Sequence, residues 1–241
     1  MSNPVTPYNT DSTKKEQVQS MFDNIAPKYD FLNRLLSLGV DNYWRKRAIR
    51  ELRKMPHNTI LDVACGTGDF SFAAMKLHPE KITGLDISEE MLEIGRQKIA
   101  KAGFTKQMEF INGDSENMPF ANNSFDASTV AFGVRNFEHL VIGLTEINRV
   151  LKPGGKLVIV EFSKPKVFPV KQLFNFYFKA ICPFIGRLVS KDARAYTYLY
   201  ESVLAFPEGD AFITHLETAG FKSCTCTRLT FGICSLYTAI K

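Results

Sequence analysis

The chain has 241 residues, 45% hydrophobic and 23% charged, which suits a globular fold with a sizeable core. A net charge of +5, scattered and without a zinc-finger or RNA-binding signature, argues against a nucleic-acid partner. Cys65, Cys182, Cys224, Cys226 and Cys234 form no C-x-x-C pair and the four histidines are dispersed, so no metal is expected. Cys224 and Cys226 read instead as buried small hydrophobes on one face of a strand. The polar N-terminus has no apolar signal core, and no apolar run reaches about 18 residues. With the cysteine usage, this points to a reducing, cytoplasmic compartment.

Residues 1–13 read as a polar tail, and 14–55 as an N-terminal helical cap broken near Pro27 and Gly39. Asp41 is expected as the N-cap of a helix running towards Lys54. Strand and helix patterns then alternate. Strands are expected at 58–65, 81–88, 107–113, 125–133 and 156–162. Between them come a glycine turn and helix (66–78), an amphipathic helix (89–103, Ser88 as N-cap and Gly103 past its end) and a helix at 138–151. Residues 164–206, rich in Phe and Tyr, read as an inserted helical region or lid. A helix at 208–219 and strands at 221–230 and 232–240, turning at Gly232, close the chain. The expectation is an α/β, doubly wound, Rossmann-like sheet of seven strands in one domain spanning 1–241. The sheet is mostly parallel and carries a C-terminal antiparallel hairpin.

Chemistry concentrates at three strand ends. In Asp62-Val63-Ala64-Cys65-Gly66-Thr67-Gly68-Asp69 a strand ends, turns tightly on glycines and feeds a helix. Asp86 closes the next strand, placed to bind two ribose hydroxyls at the sheet's carboxyl edge. Asn112-Gly113-Asp114-Ser115 follows the third, where Asp114 can accept from an adenine amino group and the Ser115 N–H can meet a ring nitrogen. A dinucleotide fingerprint would need a third glycine where Ser71 stands. An acid at 62, before the glycines, favours a cofactor with a cationic amino-acid end, namely S-adenosyl-L-methionine. The expected cofactor-binding residues are Asp62, Gly66, Thr67, Gly68, Asp86, Asp114 and Ser115. Ser71 and the Pro153-Gly154-Gly155 turn argue against a nicotinamide dehydrogenase. Joint retention of the acids and glycines argues against a non-catalytic scaffold.

Three segments carry a closer resemblance. YDFLNRLLSLGVDNYW (29–44), AFGVRN (131–136) and RVLKPGGKLVIVEFS (149–163) resemble signatures of the ubiquinone/menaquinone biosynthesis C-methyltransferases. The resemblance runs from about Phe22 to the C-terminus. Leu32 stands where the family usually has Met, Asp41 where it has His, and Ala131 where it often has Ser, so a hydroxyl contact at 131 is lost. The resemblance implies a class I methyltransferase fold and methylation of a ring carbon on a prenylated quinol. AFGVRNFEHL and SLGVDNYWR look nearer the menaquinone branch, with demethylmenaquinol as substrate and menaquinol as product. A dual ubiquinone/menaquinone enzyme, or another small-molecule methyltransferase, is the alternative.

That reaction requires a quinol hydroxyl, ordinarily titrating near ~10, to lose its proton. Arg135 is the candidate to stabilise the oxyanion, Asn136 to orient it or a water, and Tyr29 to complete the network. Their other readings are structural: Arg135 pairing with Glu138 or capping a helix, Asn136 as that helix's N-cap, Tyr29 as a buried aromatic. Region 164–206 must accept an isoprenoid tail. Lys164, Lys166, Lys171, Lys179, Arg187 and Lys191 flank its apolar run and suit transient contact with an anionic membrane surface. The same run could instead pack in the core or form a homodimer interface.

Overall fold

The computed structural model describes residues 5–8, 10–184 and 193–241; Arg187 and Lys191 lie outside the described residues. Among these, seven strands form one sheet: β1 (Thr59–Val63), β2 (Lys81–Asp86), β3 (Met108–Asn112), β4 (Phe125–Ala131), β5 (Leu151–Phe162), β6 (Lys222–Leu229) and β7 (Cys234–Ile240). Their order is β3-β2-β1-β4-β5-β7-β6. β1 to β5 run parallel, and β7 is antiparallel to both β5 and β6. The central strands are buried along nearly their whole length because helices cover both faces. On the edge strand β6, half-buried Cys224 and Cys226 share the covered face while Thr225 and Thr227 are exposed.

The helices are α1 (Lys14–Ser37), α2 (Val40–Leu52), α3 (Asp69–Ala74), α4 (Glu89–Ala102), α5 (Leu140–Val150), α6 (Val170–Phe176), α7 (Ala193–Ala205) and α8 (Asp210–Thr218). α6 continues into a π turn at Tyr177–Ile181. Alternating strand residues split the core into two layers. Leu61, Val63, Leu144, Ile147, Phe212 and Leu216 pack on one face; Ile60, Ile82, Leu92, Ile99, Trp44 and Ile49 pack on the other. Ser88 caps α4 by accepting from the Met91 N–H, and Gly103 ends it with φ 75°.

Two expectations about the cap are corrected. α1 does not break at Pro27, which sits exposed inside an uninterrupted helix. A capping box of Thr13 and Glu16 starts the helix, and buried Met21, Ile25, Ala26 and Leu32 on both sides of the proline anchor it. Asp41 is not an N-cap: Gly39, with φ 76°, holds that position. Asp41 is buried in the first turn of α2, where it pairs with Arg45 and accepts from the Ser37 hydroxyl at 2.7 Å.

The chain crosses from β3, at one edge, to β4 on the other side of β1. That reversal opens a crevice at the carboxyl ends of β1 and β4. The backbone leaves both strands in the left-handed region, at Ala64 (φ 53°), Gly66 (55°) and Phe132 (59°). Such conformations are costly for residues with a Cβ and concentrate at functional sites.

Candidate active site

A small cavity of about 80 Å³ occupies the crevice. Gly66, Asp86, Asp114 and Ser115 line it with Leu85, Ile87 and Met91, and α1 roofs it through Lys15, Val18, Phe22 and Tyr29. Asp86 ends β2 and accepts the Gly66 N–H at 2.7 Å and the Ser88 N–H at 2.9 Å, while burial pushes its pKa up. Asp114 accepts the Glu116 N–H at 2.8 Å with one oxygen and the Lys15 ammonium at 2.8 Å with the other. Sequence reasoning missed Lys15, because 99 residues separate it from its partner.

The remaining expected cofactor residues surround this cavity without forming its wall. Asp62 is 1% exposed beneath the glycine turn and accepts hydroxyls from Ser71 (2.6 Å) and Thr129 (2.8 Å). Burial raises its pKa to about 6. Ser71, the residue that breaks the dinucleotide pattern, is thus the acid's partner. The Thr67 hydroxyl donates to Asp30 at 2.6 Å, and the Lys98 ammonium bridges Asp30 (3.0 Å) and Asp69 (2.9 Å). A Cβ on Gly68 would collide with the Phe110 ring. That glycine lets β3 pack under the turn.

A second cavity of about 590 Å³ lies between α1, α2, β5, α6 with its π turn, and α7, lined mostly by aliphatic and aromatic side chains. Four residues line both cavities: Phe22, Tyr29, Phe132 and Asn136. Of the three expected catalytic residues, Tyr29 and Asn136 belong to this shared wall and Arg135 lines the large cavity beside it. Burial raises the Tyr29 phenol pKa, and the neighbouring Asn33 side chain partly offsets it. Asn136 accepts from the Tyr198 hydroxyl at 3.2 Å. It is not an N-cap, since α5 begins at Leu140 after His139. Arg135 lines the large cavity and donates to the Glu161 carboxylate at 2.8 Å. Further donations go to the Phe132 carbonyl and, at 3.3 Å, to Ser202 Oγ. Arg135 does not pair with Glu138, whose carboxylate accepts the Lys14 N–H at 3.0 Å. The one available clue to Glu161 was an acid inside the apolar run VIVEF (158–162).

The model of the ubiE/COQ5 methyltransferase family matches residues 10–241. The chain belongs to that family. This methyltransferase is 50% identical over 238 residues to the demethylmenaquinone methyltransferase of Bacteroides fragilis, covering 98% of this chain and 97% of that protein. It is 46% identical to the ubiquinone/menaquinone biosynthesis C-methyltransferase of Geotalea daltonii over 95% of this chain and 97% of the relative. Among solved structures, an S-adenosyl-L-methionine-dependent methyltransferase from Methanococcus maripaludis superposes with a TM-score of 0.62 at 22% identity, covering 97% and 96% of the two chains. One from Thermotoga maritima gives 0.64 at 18%, covering 92% and 99%. These two support the fold.

S-adenosyl-L-methionine is the cofactor of the methyltransferase, and the residues at the crevice fit it. Asp86 offers carboxylate oxygens where a ribose diol would sit, and Leu85, Ile87 and Met91 supply apolar surface for a base. Gly66, without a Cβ, leaves the backbone approachable. Asp114 and Ser115 line the same wall, with the Lys15 ammonium on one of the two Asp114 oxygens.

Proposed function

We propose that this methyltransferase methylates the ring carbon of a prenylated demethylmenaquinol, giving menaquinol, and that Tyr29, Arg135 and Asn136 are its catalytic residues. The observation that carries the reading is the shared wall: a large apolar cavity abuts the cofactor crevice at Phe22, Tyr29, Phe132 and Asn136. A prenylated ring fits such a cavity, whose apolar lining holds the tail and keeps water away from the ring.

S-adenosyl-L-methionine supplies a methyl group that is already electrophilic. The protein's task is to favour the ring's phenolate. Arg135 stabilises charge developing on the ring oxygen next to the reacting carbon. Asn136 and Tyr29 hold that oxygen at the shared wall. Phe132 and Phe162, with centroids 4.7 Å apart, form an aromatic floor. Asp86, Asp114, Ser115 and Gly66 bind the cofactor directly, while Asp62, Thr67 and Gly68 shape the turn that presents it.

The tail leaves towards α6, where Leu38 (79% exposed), Leu173 (63%) and Phe176 (63%) line the large cavity and face solvent. Exposed Lys166, Lys171 and Lys179 border this rim, which suits peripheral contact with an anionic bilayer. Lys164 drops out of that set, because its ammonium is engaged by the carbonyls of Leu204 and Phe206. Among the described residues no helix is long and apolar enough to cross a membrane.

The deciding assay supplies labelled S-adenosyl-L-methionine with reduced demethylmenaquinol or the demethylated ubiquinol precursor. Label in menaquinol alone supports this reading, and label in both makes the enzyme dual. Label in neither, with cofactor binding intact by calorimetry, rejects the quinol reading. Salt-sensitive flotation with anionic vesicles tests the membrane contact; a concentration-dependent dimer without flotation would assign the rim to a second copy.

A further inference from the structure

We propose that Asn33 binds the second oxygen of the acceptor ring and so makes the enzyme selective for a 1,4-diol over a ring with one hydroxyl. The inference rests on the quinol reading above and adds a specificity determinant to it.

Tyr29, Asn33 and Ser37 recur every fourth residue along α1 and line the large cavity together. That spacing puts them on one face of the helix, a polar stripe on an otherwise apolar wall. Its three members differ in what they have left to offer. Ser37 donates to Asp41, which is itself paired with Arg45. Tyr29 belongs to the wall shared with the cofactor crevice. Asn33 lies between them on the same wall. Its carboxamide brings two N–H donors and an oxygen with two lone pairs to the cavity wall.

The distances suit a para-diol. Four residues of helix rise about 6 Å, comparable with the separation of two oxygens across a six-membered ring. With the first oxygen at Tyr29, Arg135 and Asn136, the carbon beside it faces the cofactor. The second oxygen then points along α1, away from the crevice, and reaches Asn33. The prenyl carbon is adjacent to that second oxygen. The tail therefore passes Leu36 towards the exposed rim at Leu173 and Phe176. One ring orientation satisfies both polar groups and the tail.

The test compares two acceptors carrying the same prenyl chain: the reduced 1,4-naphthalenediol, and a 1-naphthol that keeps only the hydroxyl beside the reacting carbon. The readout is the ratio of kcat/KM for the two, with cofactor affinity and a thermal melt as folding controls. The wild-type enzyme is expected to favour the diol roughly 10-fold, the worth of one buried hydrogen bond. Asn33→Leu, with the same heavy-atom branching and helix-compatible, is expected to bring the ratio to about one. Asn33→Asp, which keeps an acceptor for the ring hydroxyl, is expected to restore a preference. If Asn33→Leu leaves the ratio at its wild-type value while slowing both acceptors, Asn33 acts through Tyr29 or the fold and the assignment fails alone. If the wild-type enzyme binds cofactor but methylates neither acceptor, the quinol reading fails and takes this assignment with it.

Discussion

The Arg135 guanidinium donates to the Glu161 carboxylate at 2.8 Å, with the two side chains 7% and 0% exposed. Burial pushes the Glu161 pKa up, and the neighbouring guanidinium pulls it down. Removing one partner of such a pair strands the other and typically costs about 3–5 kcal/mol. Arg135→Ala is therefore expected to lower Tm by roughly 10 °C as well as turnover. Adding Glu161→Gln to it removes the stranded charge, so denaturant titration should recover a large part of the stability. Turnover should stay low in the double variant if Arg135 acts on the substrate. Recovery of turnover alongside stability would make Arg135 a purely structural residue.

Asn136 accepts from the Tyr198 hydroxyl at 3.2 Å inside the wall between the two cavities. Asn136→Ala leaves that hydroxyl without its partner, a loss of about 1–3 kcal/mol. Tyr198→Phe removes the hydroxyl and should relieve much of this in the double variant. Single-turnover rates with bound cofactor should fall at least about 10-fold in Asn136→Ala and stay low in the double variant. A rate restored by Tyr198→Phe would place Asn136 in packing only.

The strand ends that meet at the crevice were legible because each element is local. A strand end, a glycine turn and a following acid all lie within a few residues at Asp62–Asp69, Asp86 and Asp114. Alternation of strands and helices then fixed where those ends meet. What escaped sequence reading is long-range. Phe110 packs against the positions of Gly68, Gly84 and Gly95, and these come from a turn, a strand and a helix that only the sheet brings together. The same holds for Glu161 beside Arg135 and for Lys15 beside Asp114. Pro27 and Asp41 misled for a related reason. Local preference placed a break and a cap, whereas the packing of Met21, Ile25 and Leu32 and the pairing with Arg45 decided the outcome.

Lys15 is bound to Asp114, the residue expected to receive the adenine edge. The pair is partly exposed, so its net worth is about 0–1 kcal/mol and declines with salt. Lys15→Ala should free Asp114 and strengthen cofactor binding up to about 5-fold at low salt, with the gain shrinking as salt is raised. Calorimetry across a salt series measures this. Weaker binding in Lys15→Ala would mean that Lys15 contacts the cofactor instead of competing with it.

Asp62 lies beneath the glycine turn with its pKa raised from 3.8 to about 6, chiefly by burial against the hydroxyls that partly offset it. A group whose folded pKa is raised binds its proton more tightly in the folded state. Folding is therefore favoured by this group below pH 4, and that contribution is lost as pH climbs from about 4 to 6. A rise from 3.8 to about 6 corresponds to roughly 3 kcal/mol. Asp69, Asp126, Glu51 and Glu146 have lowered pKa values and push stability the other way. Asp62→Asn keeps those groups and the shape of the side chain but cannot ionise, so a comparison with wild type cancels their effect. The stability of Asp62→Asn relative to wild type should rise by roughly 3 kcal/mol between pH 4 and pH 7.5, read by urea titration at each pH. A difference that stays flat across that range would show that Asp62 titrates at its ordinary pKa in the folded protein, with the Ser71 and Thr129 hydroxyls cancelling the effect of burial.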